Sequence, residues 1–289
     1  MSYLLHLLIA IAIYVIVAGG LNLLVGFAGK LSLAQAAFHG LGGYTAAVVT
    51  LRLKWSFPGA AVLALVAGLV GAMVLGRLAL RFRDEFFVLG TLALQVGMHT
   101  LYLNWEDVTG GAFGLGGIPR PAWGSWRADT LAELAALYWV IAILVLLLLR
   151  LWTTSPFGLA LQAVRDDARL AESLGKDPRA LSAAAFTVAG GLASLGGVLL
   201  ASYVTYIDST SFAFPESVFF LSIVILGGAG SWQGPLLGTI LLSLVPEFLR
   251  FVPLPQGSGP HVREILFVVI LLVLLRYRPQ GLLGRYALE

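Results

Sequence analysis

The run "LYWVIAILVLLLL" (137–149) leads into "SPFGLALQAVRDDARLAESLGKDP" (155–178), and that into "LSAAAFTVAGGLASLGGVLL" (181–200). Eight of the fifteen residues from Arg165 to Arg179 are charged, although Asp, Glu, Lys and Arg make up only 11% of the chain. A short hydrophilic insert between long oily runs is the pattern of a chain that crosses lipid and returns through an aqueous loop. The rest of the sequence agrees. Hydrophobic residues are 59% of 289, the mean hydropathy is +0.92, and soluble domains carry about 25% charge.

Crossing the ~30 Å hydrocarbon core takes about 20 helical residues. In lipid every backbone amide must be bonded within the protein, so helices or closed barrels are the available spanning forms. The apolar runs are continuous rather than alternating with period 2, which selects helices. The expected fold is therefore all-α, a polytopic transmembrane helical bundle of about 8–10 membrane segments forming a single domain over 1–289. Apolar segments fall at 3–25, 31–51, 57–80, 86–103, 132–150, 181–203, 215–227, 234–252 and 262–276. The second, "LSLAQAAFHGLGGYTAAVV" (31–49), is rich in small and polar residues. It reads either as a full span or as a broken, re-entrant helix inside the bundle, and 215–227 carries the same ambiguity. The first segment has neither a positive n-region nor a small-residue cleavage site and is expected to be retained.

Lys and Arg set the orientation. Twelve fall on one side (Lys30, Arg77, Arg81, Arg83, Arg150, Arg165, Arg169, Lys176, Arg179, Arg276, Arg278, Arg285) and six on the other (Arg52, Lys54, Arg120, Arg127, Arg250, Arg263). The loop at 152–180 is then cytoplasmic and the loop at 104–131 extracytoplasmic, with Trp105, Trp123 and Trp126 at its interface with lipid. This bias also accounts for the net charge of +3, and no basic run with interleaved aromatics points to nucleic acid. Small residues recur every fourth position at Ala60, Ala64, Gly68, Ala72 and Gly76, and again at Ala185, Ala189, Ala193, Gly197 and Ala201. Such stripes let helices pack closely; the alternative is a sliding face or a pathway wall.

Within the charged insert, Ser155 and Pro156 form a helix-start signal. Phe157, Leu161, Val164, Ala168, Ala171 and Leu174 recur at helical spacing, and Gly175 and Pro178 mark the stop. The expectation is one amphipathic helix of about five turns. Its four basic and four acidic residues between Arg165 and Arg179 suit a protein surface better than anionic lipid. A solvated helix without a partner is the alternative.

Chemistry-bearing residues are scarce. The absence of cysteine excludes thiolates, disulfides and Cys-based metal sites. No G-x-x-x-x-G-K-[ST] phosphate loop occurs, and His6, His39, His99 and His261 lie far apart. No enzyme activity, metal or cofactor is expected. Ion-coupled carriers need ionisable or cation-coordinating groups in the bundle. Here the polar residues within segments are Asn22, Gln35, His39, Gln95 and His99, with Glu216 and Glu247 near segment ends. A transport protein without its own motor draws energy from another chain.

Five stretches in order carry a family resemblance: "GLNLLVGFAGKLSLAQAAFHGLGGYTAA" (20–47), "TGGAFGLGGIPRP" (109–121), "SPFGLALQAVRDDARLAESLG" (155–175), "ILGGAGSWQGPLLGTILL" (225–242) and "RPQGLLGR" (278–285). The chain resembles permeases of branched-chain (hydrophobic) amino acid ABC importers, and the loop at 109–121 and the tail at 278–285 resemble the M-type subunit. The resemblance implies a bacterial inner-membrane protein that forms half of a translocation pathway. Its implied partners are an H-type permease, two cytoplasmic ATPase subunits and an extracytoplasmic solute-binding protein. It also implies that Phe157, Gly158, Ala163, Arg165, Asp166, Asp167, Leu174 and Gly175 belong to a helix seated in a groove of the ATPase. Related permeases carry urea, amides or other small solutes, and a self-sufficient carrier or channel is the competing class. Asn22, Gln35 and Tyr44 are candidates for touching solute, against helix–helix hydrogen bonding as the alternative. "GFAGK" (26–30) and "GGAGS" (227–231) echo each other, as two related halves would.

Overall fold

The computed structural model describes residues 2–80, 84–124, 126–250, 269, 276 and 280–284, without the side chains of 84, 85 and 246–250. The chain begins with α1 (Ser2–Asn22), which continues as a π turn over Leu23–Phe27. Next come α2 (Gln35–Arg52), α3 (Phe57–Ala79), α4 (Asp84–Asn104) and the short α5 (Glu106–Thr109). Beyond the outer loop are α6 (Leu131–Thr154), α7 (Pro156–Asp166), α8 (Ala168–Ser173), α9 (Pro178–Val204), α10 (Phe214–Gly227) and α11 (Gly234–Arg250). Among the described residues six helical stretches are long and apolar enough to span: Ser2–Phe27, Phe57–Ala79, Phe86–Asn104, Leu131–Thr154, Pro178–Val204 and Thr210–Gly227. The sequence-based segment at 234–252 corresponds to α11, Gly234–Arg250. Except for Val269 and Arg276, the segment expected at 262–276 lies outside the described residues, as do Arg81, Arg83, Arg278 and Arg285.

Local chemistry sets several boundaries. Thr130 accepts the amide of Glu133 at 3.2 Å while the Glu133 carboxylate accepts that of Thr130 at 3.1 Å, a capping box that starts α6. α3 starts differently: Ser56 makes no side-chain cap bond, and Pro58 lies in the first turn where no amide partner is lost.

α1 and α9 form the centre, with 83% and 67% of their spanning windows buried, whereas α3 and α4, at 28% and 22%, present most of their surface outward. α9 packs against α1, α2 and α3. Both small-residue stripes are buried in these contacts: Ala60, Ala64, Gly68, Ala72 and Gly76 on α3, and Ala185, Ala189, Ala193, Gly197 and Ala201 on α9. The approach is close. A Cβ added at Gly42 would lie 1.9 Å from the Ser194 carbonyl oxygen, and one at Gly197 1.9 Å from that of His39.

α2 resolves the ambiguity of 31–51. Gln35, its first residue, donates to the carbonyls of Val17 (3.1 Å) and Ala189 (3.2 Å), in the middle of α1 and α9. Val17 precedes Phe27 by ten residues, about 15 Å of helix at 1.5 Å per residue. Residues 28–34 therefore climb back along α1 without helical structure, with Ala28, Ser32 and Ala34 buried, Lys30, Leu31 and Leu33 half-buried and Gly29 exposed. α2 itself is continuous; the interruption precedes it. Its low apolarity has a reason, because twelve of its eighteen residues are buried in protein.

A helix that starts inside the bundle has orphan amides, and two neighbours supply acceptors. The Ala36 amide donates to Ser217 Oγ at 2.9 Å and the Ala37 amide to Gln95 Oε1 at 2.7 Å. Ser217 also donates to Gln95 Oε1 at 3.1 Å, Gln95 Nε2 donates to the Phe212 carbonyl at 2.9 Å, and Thr91 Oγ1 accepts the Leu33 amide at 3.1 Å.

The outer loop is fastened to the bundle. β1 (Leu115–Gly116) pairs antiparallel with β4 (Tyr206–Ile207), and β2 (Ala122–Trp123) with β3 (Trp126–Arg127). Gly114 adopts φ +67°, and a Cβ there would stand 2.2 Å from the Ile207 carbonyl oxygen, so only glycine fits. Tyr206 holds the turn by donating to the Phe113 carbonyl at 2.8 Å.

Four substitutions test this packing. Gly42→Ala should destabilise the bundle by about 1–3 kcal/mol, the usual cost of overpacking. Gly97→Ala, on an open helix face with nothing within 4 Å of the added methyl, should stabilise by up to about 1 kcal/mol. Gln95→Leu should cost about 1–3 kcal/mol because it strands the buried Ala37 amide, and Ser217→Ala a similar amount because it strands the Ala36 amide. Thermal unfolding in detergent orders the four variants.

Candidate functional site

The charged insert folds at the end of α6. Ser155 turns the chain and Pro156 opens α7, where Gly158 lies so close to α6 that an added Cβ would meet the Thr153 carbonyl oxygen at 2.3 Å. The single five-turn helix expected from spacing is instead two helices with an elbow. Asp167 leaves helical geometry (φ −155°, ψ 104°) and its Oδ1 accepts the amides of Arg169 (2.9 Å) and Leu170 (3.0 Å), capping α8. Gly175 ends α8 at φ +77°, and Asp177 caps α9 through the amides of Arg179 (2.9 Å) and Ala180 (3.1 Å).

The elbow resets the phase of the apolar stripe. Leu161, Val164 and Ala171 are buried against the bundle, and Phe157 is half-buried. Ala168 and Leu174, assigned to that stripe by spacing, face outward. The outward surface carries Leu159, Leu170 and Leu174 at 62%, 59% and 71% exposure. Around them lie Ala163, Asp166, Asp167, Arg169 and Glu172, all exposed. Apolar knobs among charges of both signs form a surface suited to a protein partner.

Arg165 departs from this pattern. Its side chain is 11% exposed, against 61% for Asp166. Nη1 donates to the Gly26 carbonyl at 2.8 Å, while Nε and Nη2 donate to Asp166 Oδ1 at 2.9 and 2.8 Å. Gly26 lies in the π turn that ends the first membrane helix, where carbonyls lack helical partners and the helix dipole favours a cation. Hydrogen bonds to charged groups contribute about 1.5–3 kcal/mol.

The two echoing motifs meet beneath Arg165. A Cβ at Gly26 would lie 2.1 Å from the Gly230 amide nitrogen, so the backbones cross in direct contact. Asn22 locks the crossing: its Nδ2 donates to the Ser231 carbonyl at 2.9 Å and its Oδ1 accepts the Gly230 amide at 3.1 Å. The tail motif joins from the other side, with the amides of Leu282 and Leu283 donating to the carbonyls of Leu226 (2.8 Å) and Gly227 (3.1 Å). Next to it the Arg150 guanidinium sits 5.1 Å from the Trp232 ring centroid.

The three candidate solute residues are dispersed. Asn22 is in the crossing and Gln35 at the start of α2, both with side-chain amides bonded to backbone. Tyr44 is buried nearer the outer side, its ring 4.9 Å from that of Tyr102 and 5.7 Å from that of Phe212. Its hydroxyl has no hydrogen-bond partner among the described residues. It lines an apolar cavity of about 250 Å³ with Val48, Met98, Leu101, Tyr102 and Trp105. Spacing gives no hint that Gln95, Ser217 and Thr91 receive the start of α2, although Gln95 stands out as a polar residue within an apolar segment. Among the described residues no group of three or more His, Asp or Glu side chains is placed to hold a metal.

Comparison with known proteins matches this architecture to one group. Residues 3–275 match the model of the family described as branched-chain amino acid transport system / permease component. The chain is 32% identical to the high-affinity branched-chain amino acid transport system permease protein LivM of Escherichia coli (strain K12), across 94% of this chain and 68% of that protein. It is 30% identical to LivM of Salmonella typhimurium, with the same coverage. Identity to the E. coli LivH permease is 25%, across 96% of this chain and 92% of that protein. No solved structure matches the chain. It is thus a multi-pass protein of the bacterial inner membrane and a permease subunit of an ABC importer. The chain belongs to the branched-chain amino acid transport permease family, as an M-type, LivM-like member.

Proposed function

We propose that this chain forms half of the translocation pathway of an ATP-driven importer for branched-chain and other hydrophobic amino acids. Its other half is an H-type permease. Two ATPase subunits dock on its cytoplasmic face, and a solute-binding protein delivers solute from outside. The observation that carries this reading is the exposed surface of α7 and α8, with Leu159, Leu170 and Leu174 among Asp166, Asp167, Arg169 and Glu172. It lies at the end of the bundle that also carries Lys30, Arg77, Arg150, Lys176 and Arg179, the end that the positive-inside rule assigns to the cytoplasm.

Each part of the coupling element then has a task. Gly158 lets α7 turn tightly off α6, and Leu161 and Val164 seat it on the bundle. Ala163 leaves room on the outward face, Asp167 fixes the elbow, and Gly175 closes α8. Phe157 packs the hinge. ATP binding and release on the partner shift the permease between two access states through differential contact with this surface. Substrate class rests on the relatives' activity and on the apolar lining of the cavity beside Tyr44.

The test uses the assembled importer in proteoliposomes. Leu170→Asp combined with Leu174→Asp should lower co-purification of the ATPase at least tenfold while membrane insertion is unchanged. The native chain has no cysteine, so a single cysteine at Ala163 or Glu172 should label from the cytoplasmic side and become protected when the ATPase binds. ATP-driven leucine uptake should be competed by isoleucine and valine and not by urea or acetamide. Flux through this chain alone would establish a self-sufficient carrier instead, and labelling from outside would overturn the docking surface.

A further inference from the structure

We infer that Arg165 is a positioning residue that carries movement of the ATPase-facing surface into the crossing of the two interrupted helices, and is not itself a contact for the ATPase. The inference rests on the coupling function proposed above and assigns an inward role to one residue of that element.

Three observations converge on it. Arg165 links surface to interior: Asp166 is exposed, and its carboxylate takes two hydrogen bonds from the same guanidinium that donates to the Gly26 carbonyl. The side chain also fills space that only glycine leaves open. A Cβ at Gly29 would lie 2.6 Å from Arg165 Cγ, while at Gly230 the guanidinium is at ordinary contact distance, Nη1 standing 3.4 Å from where a Cβ would be. Finally, the segments it touches are joined to each other, since Gly26 and Gly230 are in backbone contact and Asn22 bonds both Gly230 and Ser231. A displacement of α7 therefore reaches the approach to α2 through Gly29 and the approach to α11 through Gly230.

The element that can respond is the π turn at Leu23–Phe27. Its wide ring is closed by the Ala28 amide on the Leu23 carbonyl at 3.2 Å, and the next wide bond runs from the Lys30 amide to the Leu24 carbonyl at 3.1 Å. π turns are uncommon within helices and are found at functional sites. Relaxing one to α-helix shifts the downstream residues by one position in register, a discrete change and not a gradual bend. Arg165 grips the penultimate carbonyl of that turn. It thereby biases which register the first membrane helix adopts, and with it where α2 begins. The pull arrives through Asp166, whose outward side is open to the partner.

The experiment uses the complete importer, with this chain, its H-type partner, both ATPases and the binding protein, and compares Arg165→Ala, Arg165→Lys and Arg165→Gln. Three quantities are read: ATPase co-purified per permease, ATP hydrolysed, and leucine imported per ATP. Arg165→Ala should keep co-purification within twofold of wild type and continue to hydrolyse ATP, while leucine imported per ATP falls at least tenfold. Arg165→Lys should recover part of that ratio, since an ammonium reaches the Gly26 carbonyl but lacks the fork that also holds Asp166. Loss of ATPase binding in Arg165→Ala in step with transport would make Arg165 an ATPase contact, and an unchanged ratio would make it structural; either result overturns the inference. Should the alanine variant fail to accumulate, the lysine and glutamine variants are read by the same three quantities, and the same two results overturn the inference. A wild-type importer in which no ATPase binds this chain would instead remove the coupling function itself, and is distinguished because it appears before any substitution is made.

Discussion

Backbone amides inside a bilayer have no water to turn to, and this chain twice places non-helical backbone within its bundle. Residues 28–34 and 228–233 interrupt membrane helices, and each peptide group there needs a partner from the protein. Much of the described architecture answers that demand. Gln95, Ser217 and Thr91 receive the amides around the start of α2, Asn22 satisfies the second interruption, and glycines let the two approach until backbone meets backbone. α1 borders both interruptions and α9 the first, and the oilier faces of α3 and α4 are turned outward.

That arrangement places the softest part of the bundle beside its charged appendage. The interruptions lie next to α7, and the first is reached by a guanidinium from the charged insert. A helix without breaks would transmit a push as a rigid rod. A helix ending in a π turn and a glycine-lined loop has alternative backbone states close at hand, and a modest contact energy suffices to choose between them. The mixed-charge knobs on α7 and α8 face outward while Arg165 of the same insert faces inward.

Much of this is legible in the sequence, and most of the remainder has one cause. Apolar runs mark the helices, the Ser155–Pro156 pair marks the start of α7, and the polar, glycine-rich composition of 31–51 announces a segment that could not face lipid. The echo between 26–30 and 227–231 suggests kinship but not contact. What spacing cannot supply is partnership across distance. The Ala36 amide is capped by a hydroxyl 181 positions away, and Gly26 by a guanidinium 139 positions away. The elbow at Asp167 escapes for a different reason. A helical stripe continues on paper through a residue whose carboxylate prefers to cap, and the repeat from Phe157 to Leu174 conceals the phase reset. Asp before a run of helix formers is the available signal.

The short β1–β4 pair has a consequence at the end of the bundle opposite α7. By stitching the loop after α4 to the link between α9 and α10, it ties together two stretches far apart in sequence, so that neither hangs free of the helices. Phe113, 89% exposed beside that seam, is held through Tyr206 to the same link, so a push on its ring is felt at the end of α9.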